Sequence, residues 1–505
     1  MSFLSWFFSF LYSMPVLLVI VGVIWLMLHL AERARYRLPP GPTGLPFIGS
    51  YLSLGSVKCG HELFLKWAQE YGDIYTFSIF GTRFVLLNHY SLVHDSFQSA
   101  DINDRAVILP FNRALGRKDS NSGLALVTNS EGPTWKEQRQ FIKNMFRDIR
   151  AATNNFEDIV STVTCKLRAE VARKDGALFD PAEMVTVSVS NITICIMTGK
   201  IYDYDDSEFV SMSKLASKVF DWMGPAAFLY HVPLLARLPL AINKKGDAVA
   251  LNMMEFLTAI IRRHRESFTP DKKPTDIIYG FLAEQHRRRS EGVDLGSFDN
   301  DCLVQLTLDF MLGGFETVSA SLLWYFLCMA KYPKIQAKVQ EELDRVVGRD
   351  RLPTLSDKPN LPYTQATIAE CTRRYPAVPA QIPHGTRCDV KIGGYDIPKG
   401  SYVVNNSFAL AMSPGEWEDP ECFRPERFLV DDGRGFNKQL EMKLATFGVG
   451  RRTCPAEQLA RIEMFIMSTH LLQRFTLTVD EETALEGRSL MTFNPLPYKV
   501  RALAR

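Results

Sequence analysis

Cys454 is the residue of this chain whose setting most suggests chemistry. It lies in FGVGRRTCPAEQLARIEM, residues 447–464, after a glycine-spaced turn and two arginines. Pro455 suits the first turn of a helix, where its missing N–H is not needed. The residues beyond it, Leu459, Ile462, Phe465 or Ile466, Thr469 and Leu472, recur at helical spacing. Cys454 is therefore expected at or just before a helix N-terminus, which carries unpaired donors and partial positive charge. That setting lowers a thiol pKa. Gly448 and Gly450 permit backbone angles and close approach denied to other residues. Arg451 and Arg452 add positive charge nearby.

A thiolate so placed can be a nucleophile or a metal ligand. A nucleophile needs a base; no histidine lies nearby in sequence, though folding can bring one. Zinc needs further cysteines or histidines at short spacing, and these are absent. A lone thiolate among apolar and cationic residues suits a large planar group with an iron centre and two carboxylates. That group is haem held by one axial sulfur.

Other residue pairs could do chemistry. Gly313 and Gly314 fall inside a long apolar helical pattern, Leu303 to Pro333, where each costs about 1 kcal/mol relative to alanine. The cost suggests close approach by a ligand or a local opening of the helix. Glu316 and Thr317 follow at once; packing of a buried helix is the plain alternative. In WKEQRQF, Trp135 and Arg139 lie one turn apart. Glu370 and Arg373 share a helix face by their spacing of three, and FRPERF at 423–428 supplies Arg427. Alone, such a pair is an everyday surface feature.

The elements that must position these residues can be read more coarsely. The chain has 505 residues, 46% hydrophobic and 23% charged, an ordinary globular composition with length for a large core. With 58 basic and 56 acidic residues, nothing predicts nucleic-acid binding. Nine cysteines, without CxxC pairs, argue for reduced thiols rather than a disulfide framework. The first 31 residues carry no charge, and Met14–Ala31 has one polar side chain, His29, in 18 residues. Residues 1–31 read as an uncleaved membrane anchor, and Arg33, Arg35 and Arg37 place the body of the chain on the cytosolic side. Residues 32–50 form a basic hinge ending in LPPGPTGLPFIG, a semi-rigid spacer. Residues 51–505 read as one body, mainly α with small β-sheets (α+β). Strands are expected in Gly72–Asn88, around a Gly-Thr turn, and in Val390–Asn406. Helices are expected over Trp135–Arg147, Phe156–Ala172, Ala248–Glu266, Cys302–Lys331 and Pro333–Val347. TPDKKPT (Thr269–Thr275) and HRRRSEGVD (His286–Asp294) read as surface loops. Gly224–Leu240, apolar but broken by prolines, is either an interfacial dip or a buried connection.

FGVGRRTCPA resembles the haem-binding loop of the cytochrome P450 superfamily: Phe, two residues, Gly, one residue, Arg, one residue, Cys, one residue, then usually Gly. Phe447, Gly450, Arg452 and Cys454 match; Ala456 departs from the glycine, and its methyl is expected to change the haem environment modestly. The resemblance runs from the proline-rich hinge to the C-terminus. GGYDIPKG, FRPERF and EQLARIEMF look most like animal microsomal enzymes related to family 2. It implies a P450 fold behind an N-terminal transmembrane helix. Haem b would then sit on Cys454, packed by Phe447, with its propionates met by Trp135, Arg139, Arg452, His384 and Arg105. Arg105 is reached only across an apparent insertion, GRKDSNS, before Gly123. Glu370, Arg373 and Arg427 would form a buried bracing network. Thr317 would organise water where oxygen is activated, and Glu316 would feed protons to it. Phe310, Gly313, Val378, Ala380 and Ile382 are the pocket residues the resemblance suggests.

The function so implied is a haem-thiolate monooxygenase of the endoplasmic reticulum membrane, placing one atom of O2 into a fatty acid, steroid or foreign compound. No GxGxxG fingerprint is present, so electrons must come from a partner. By resemblance this is an NADPH-dependent flavoprotein reductase, with cytochrome b5 as a second donor. Lys136, Lys143 and Arg147 are candidates for its docking face. Two rivals are a lipid-peroxide isomerase or dehydratase of the same fold, which needs no reductase, and a non-catalytic haem protein. The Glu316–Thr317 pair favours the monooxygenase.

Overall fold

The computed structural model describes residues 19–20, 22–27, 30–55, 59–105, 132–151, 156–226, 240–270, 272–489 and 491–505. Most of Gly224–Leu240, the GRKDSNS segment and much of the expected anchor lie outside the described residues.

Helices dominate, as expected, with small sheets beside them. Those that matter for the site are α1 (Gly60–Tyr71), α2 (Tyr90–Gln98), α3 (Pro133–Arg150), α4 (Phe156–Ala172), α5 (Ala182–Thr198), α6 (Ser207–Ala226), α7 (Ala241–Glu266), α8 (Ile277–Ser290), α9 (Asn300–Lys331), α10 (Pro333–Val346), α11 (Pro362–Arg374) and α12 (Glu457–Arg474). Local chemistry sets several starts. Pro133, Pro333 and Pro362 each occupy the first turn. Asp276 and Asp299 cap α8 and α9, accepting from the N–H groups of Tyr279 (2.8 Å) and Cys302 (2.6 Å).

The core is built around α9, which is buried on most of its faces against α5, α12 and α7. A helix that is apolar all round belongs inside a large body. Among the described residues, α9 is the helix long and apolar enough to cross a membrane, and most of it is enclosed. Its buried hydroxyls bond one turn back, Thr307 to Leu303 O at 2.6 Å and Ser319 to Phe315 O at 2.5 Å, so neither is stranded.

Five strands, β1 (Ile74–Ile79), β2 (Thr82–Leu87), β3 (Asp104–Arg105), β4 (His384–Gly385) and β5 (Tyr402–Asn405), form a sheet in the order β1-β2-β5-β4-β3. β1 and β2 are the hairpin expected in Gly72–Asn88, but the turn lies one residue earlier. Ile79 pairs with Thr82, leaving Phe80 (φ 47°) and Gly81 (φ 81°) as the loop. Two left-handed residues match the twist of a two-residue hairpin. β5 runs parallel to β2 and antiparallel to β4, and β3 joins β4 by pairing Arg105 with His384.

One expected loop is helical. His286–Ser290 is the last turn of α8, and only the residues after it turn away. Basic side chains suit a helix C-terminus, and Glu284 pairs with both Arg287 and Arg288. Arg288 also pairs with Glu137 of α3 and lies 4.4 Å over the Phe298 ring. The arginine run is thus partly an interior brace for the helix that carries Trp135 and Arg139.

Candidate functional site

The Cys454 loop is held from several sides. Gly448 and Gly450 have φ of 77° and 75°, the left-handed region. At Gly450 a Cβ would lie 2.0 Å from the Phe97 carbonyl oxygen at the end of α2. Only glycine fits there, because the loop is pressed against α2. The Cys454 N–H donates to Phe447 O at 2.8 Å, and the Arg461 guanidinium covers the Phe447 ring at 4.9 Å.

Two expectations for Cys454 need correcting. α12 begins at Glu457 after Ala456, so Pro455 lies in the preceding turn rather than in the helix. The turn aims the Ala456 N–H at the sulfur. The thiol pKa is also raised, not lowered: burial penalises the thiolate more than the Ala456 N–H and the Arg139 charge favour it. A bound metal reverses that balance, since a coordinating thiol is deprotonated outright.

Around this loop the fold gathers cations from distant segments. Arg139 donates to the Thr453 carbonyl and lies 3.3 Å from its hydroxyl. Arg452 donates to Asn103 O at 3.0 Å, and its guanidinium sits 4.2 Å above the Trp135 ring. Arg105 donates to the carbonyls of Ile382 and Pro383, the latter at 3.0 Å. Burial, then repulsion from Arg452 and Arg139, brings the Arg105 pKa down to about 9. Burial also lowers that of Arg139, opposed by Cys454. Among the described residues no carboxylate pairs with Arg105 or Arg139. Among the described residues Trp135 Nε1 and Arg105 Nε, both buried, find no hydrogen-bond partner. Unsatisfied buried donors are costly. This set fits a group that brings two carboxylates beside a thiolate-bound metal.

His384 is buried, stacked on Phe97 at 4.0 Å, with Nδ1 2.9 Å from Ile102 O. A carbonyl only accepts, so Nδ1 carries the proton. Burial first, then Arg105, pushes the ring pKa well below its usual value. Neutral, its Nε2 is an acceptor; it donates to a carboxylate only when an added negative charge favours protonation.

On α9 the two adjacent glycines differ. A Cβ at Gly314 would meet Thr193 Oγ1 of α5 at 2.5 Å, so Gly314 lets two helices close. At Gly313 nothing lies within 4 Å. The helix is unbroken here, and the local opening considered from sequence does not occur. Thr317 donates to Gly313 O at 2.8 Å, and Glu316 accepts from Asn494 at 3.0 Å. Phe310 packs on Phe146 of α3 at 5.6 Å. Val378 is half-buried and Ile382 exposed, whereas Ala380 packs on the sheet cluster of Trp67, Tyr75 and Phe77.

Glu370 and Arg373 are together in space with Arg427, but as a brace. Arg373 meets both Glu370 oxygens, at 2.8 and 2.9 Å, and Arg427 approaches the same carboxylate at 3.1 Å. Glu370 and Arg373 have zero exposure. The arginines tie this pair to carbonyls of Ala411, Pro420 and Glu418.

Sequence reasoning missed Asn103, Thr453, Gln381 and Asn494. Gln381 donates to Ala445 O at 2.6 Å, fastening the segment before β4 to the Cys454 loop. None of these residues has a spacing that marks it; each partner is remote in sequence.

The sequence model of the cytochrome P450 family matches residues 39–502. Cytochrome P450 2J5 of Mus musculus is 31% identical over 510 residues, covering 100% of this chain and 99% of that protein. Cytochrome P450 18a1 of Drosophila melanogaster is 31% identical over 500 residues, 96% of this chain and 90% of that protein. Cytochrome P450 2U1 of Homo sapiens is 31% identical over 513 residues, covering 96% and 92%. With its thiolate loop and its cradle of carboxylate-seeking donors, the chain belongs to the cytochrome P450 family of haem-thiolate monooxygenases.

Proposed function

We propose that this protein is a membrane-anchored monooxygenase acting on a lipophilic small molecule, a fatty acid, steroid or foreign compound. The observation that carries the reading is the joining of Cys454 to Arg105, Arg139, Arg452 and Trp135; among the described residues Arg105 and Arg139 pair with no carboxylate. Haem b, when bound there, supplies the electron and oxygen chemistry. Cys454 holds its iron, and Phe447 packs beside the sulfur. Arg105, Trp135, Arg139 and Arg452 would take its carboxylates, and His384, once protonated, would donate to them as well. Phe310, Gly313, Val378, Ala380 and Ile382 border the substrate chamber.

Glu316 and Thr317 manage protons. With its own proton on Gly313 O, the Thr317 hydroxyl keeps two lone pairs to hold a water. Glu316 hands protons to that water as a general acid. Thr317→Ala should therefore keep consuming NADPH while product per NADPH falls by up to about a hundredfold, the low end for a lost proton-transfer group. Parallel assays of NADPH and product check this; an unchanged ratio removes Thr317 from the proton path.

Electrons come from an NADPH-dependent flavoprotein reductase, with cytochrome b5 as a second donor. Lys136, Lys143 and Arg147 support this, being exposed on α3 at spacings of seven and four. Residues 1–31 anchor the protein in the endoplasmic reticulum membrane, 32–50 form the hinge, and 51–505 are the catalytic domain. In support, the described part of the anchor is helical with Val19, Ile24 and Met27 exposed. The hinge is fastened to the body by Glu32–Arg83 (2.7 Å), Tyr36–Asp389 (2.9 Å) and the Arg37 N–H to Asp396 (2.9 Å).

The test is a carbon monoxide difference spectrum of the reduced, detergent-solubilised protein. A Soret band at the long-wavelength, thiolate-type position is expected. A band at the shorter, histidine-like position, or no haem, overturns the reading, and suspicion falls first on Ala456.

A further inference from the structure

The proton-handling pair has a neighbour that neither its motif nor its helix supplies. Asn494 lies 178 residues beyond Glu316, in the strand Phe493–Pro495 near the C-terminus. Its Nδ2 is 3.0 Å from Glu316 Oε1 and 3.0 Å from Thr492 Oγ1. The amide nitrogen has two hydrogens, and these two acceptors use both. The opposite orientation would set Oδ1 against a carboxylate, so the network fixes which way the amide points.

The strand is held firmly enough for that amide to act as a reference point. It pairs with Gly487–Ser489, setting Asn494 opposite Arg488. The Phe493 N–H donates to Ala377 O at 2.9 Å, and Trp324 of α9 donates to Phe493 O at 2.8 Å. The Phe493 ring packs on His61 at 4.4 Å and on Trp324 at 4.9 Å. Gly487 makes this closeness possible: a Cβ there would lie 2.5 Å from the Phe493 ring and 2.6 Å from the Trp324 ring. The hairpin therefore grips α9 at Trp324 and again, through Asn494, at Glu316.

We infer that Asn494 is a positioning residue, which clamps the Glu316 carboxylate in the orientation from which it passes protons. This rests on the proton role proposed for Glu316. A glutamate side chain has three rotatable bonds, and one anchored oxygen removes most of that freedom. An amide suits the task. It donates a hydrogen bond to a carboxylate but does not titrate, so it orients the acid without competing with it as a proton source.

The test uses the full-length, haem-loaded protein in detergent with reductase and NADPH, and lauric acid as the substrate probe. Asn494→Leu keeps the size and removes the donor; Asn494→Asp keeps the shape and sets a second carboxylate against the first. Both should retain the wild-type carbon monoxide spectrum. Both should lower the NADPH oxidation rate about tenfold, the factor for losing a hydrogen bond to a charged group, and raise its solvent deuterium isotope effect. A readout independent of turnover is the urea midpoint of Asn494→Leu, Glu316→Gln and the double variant. Residues in contact should be non-additive. An additive cycle overturns the clamp, and so does a coupled cycle with unchanged oxidation rate and isotope effect. The underlying reading fails separately: if Glu316→Gln itself leaves rate and isotope effect unchanged, Glu316 is not the proton donor. If Glu316→Gln slows turnover while Asn494→Leu does not, only the clamp is lost.

Discussion

Cys454→Ser should abolish the thiolate-type Soret band of the reduced carbon monoxide complex and take product formation to background. The expectation is local. The loop is shaped by its backbone: the Cys454 N–H bonds Phe447 O at 2.8 Å, and Gly450 presses on Phe97. Serine keeps that N–H and is smaller, so the fold survives, and circular dichroism checks that it does. What disappears is the sulfur, towards which the Ala456 N–H and the Arg139 charge are directed. Unlike a thiol, an alcohol is not readily ionised in this buried place. A variant with an unchanged spectrum would show that another residue holds the iron.

The second large effect is on stability. Arg373→Ala strands the Glu370 carboxylate in a place with zero solvent exposure, leaving it Arg427 and the Arg424 N–H at 2.8 Å. Removing one partner of a buried pair costs about 3–5 kcal/mol. Folded domains keep only about 5–15 kcal/mol, so a fifth of the margin or more goes. The carbonyls of Ala411 and Pro420 lose their donors as well. Lysine is a poor substitute, having no planar fork to meet both carboxylate oxygens. The control is Arg424→Ala, whose partner Glu418 is largely exposed; it should cost no more than about 1 kcal/mol. Urea denaturation and the yield of haem-loaded protein distinguish the two. Equal midpoints for both variants would mean that the buried network braces nothing.

Local order is legible where local rules govern it. Phe156–Ala172 is a helix over the residues its periodicity marks, and Pro333 starts α10 where its ring is tolerated. The mismatches are instructive for the same reason. Glycine suggests a turn on Gly81-Thr82, yet register makes Thr82 a strand residue and puts Phe80 in the left-handed region. HRRRSEGVD reads as a solvated loop because its charges cluster, but Glu284 and Glu137 turn those charges into helix pairs. The low pKa expected for Cys454 considers only nearby charge and dipole, and burial, a property of the whole fold, outweighs them. The motif residues of the site are legible one by one. Their joining is not: Arg139 reaches Thr453 across 314 positions and Arg452 reaches Asn103 across 349. No spacing rule spans such distances, which is why Asn103, Gln381 and Asn494 carry no signal.

The adjacent glycines of α9 have opposite freedom to change. Gly314 is locked by Thr193 at the meeting of two helices, so even the smallest side chain forces them apart. Gly313, one residue away, looks into open space, so added atoms there occupy volume without disturbing the frame. Within a single dipeptide, one position preserves the architecture and the other is open to drift. With Gly313 placed at the substrate chamber, as proposed, single steps at 313 should retune the size of guest admitted while the scaffold pays nothing.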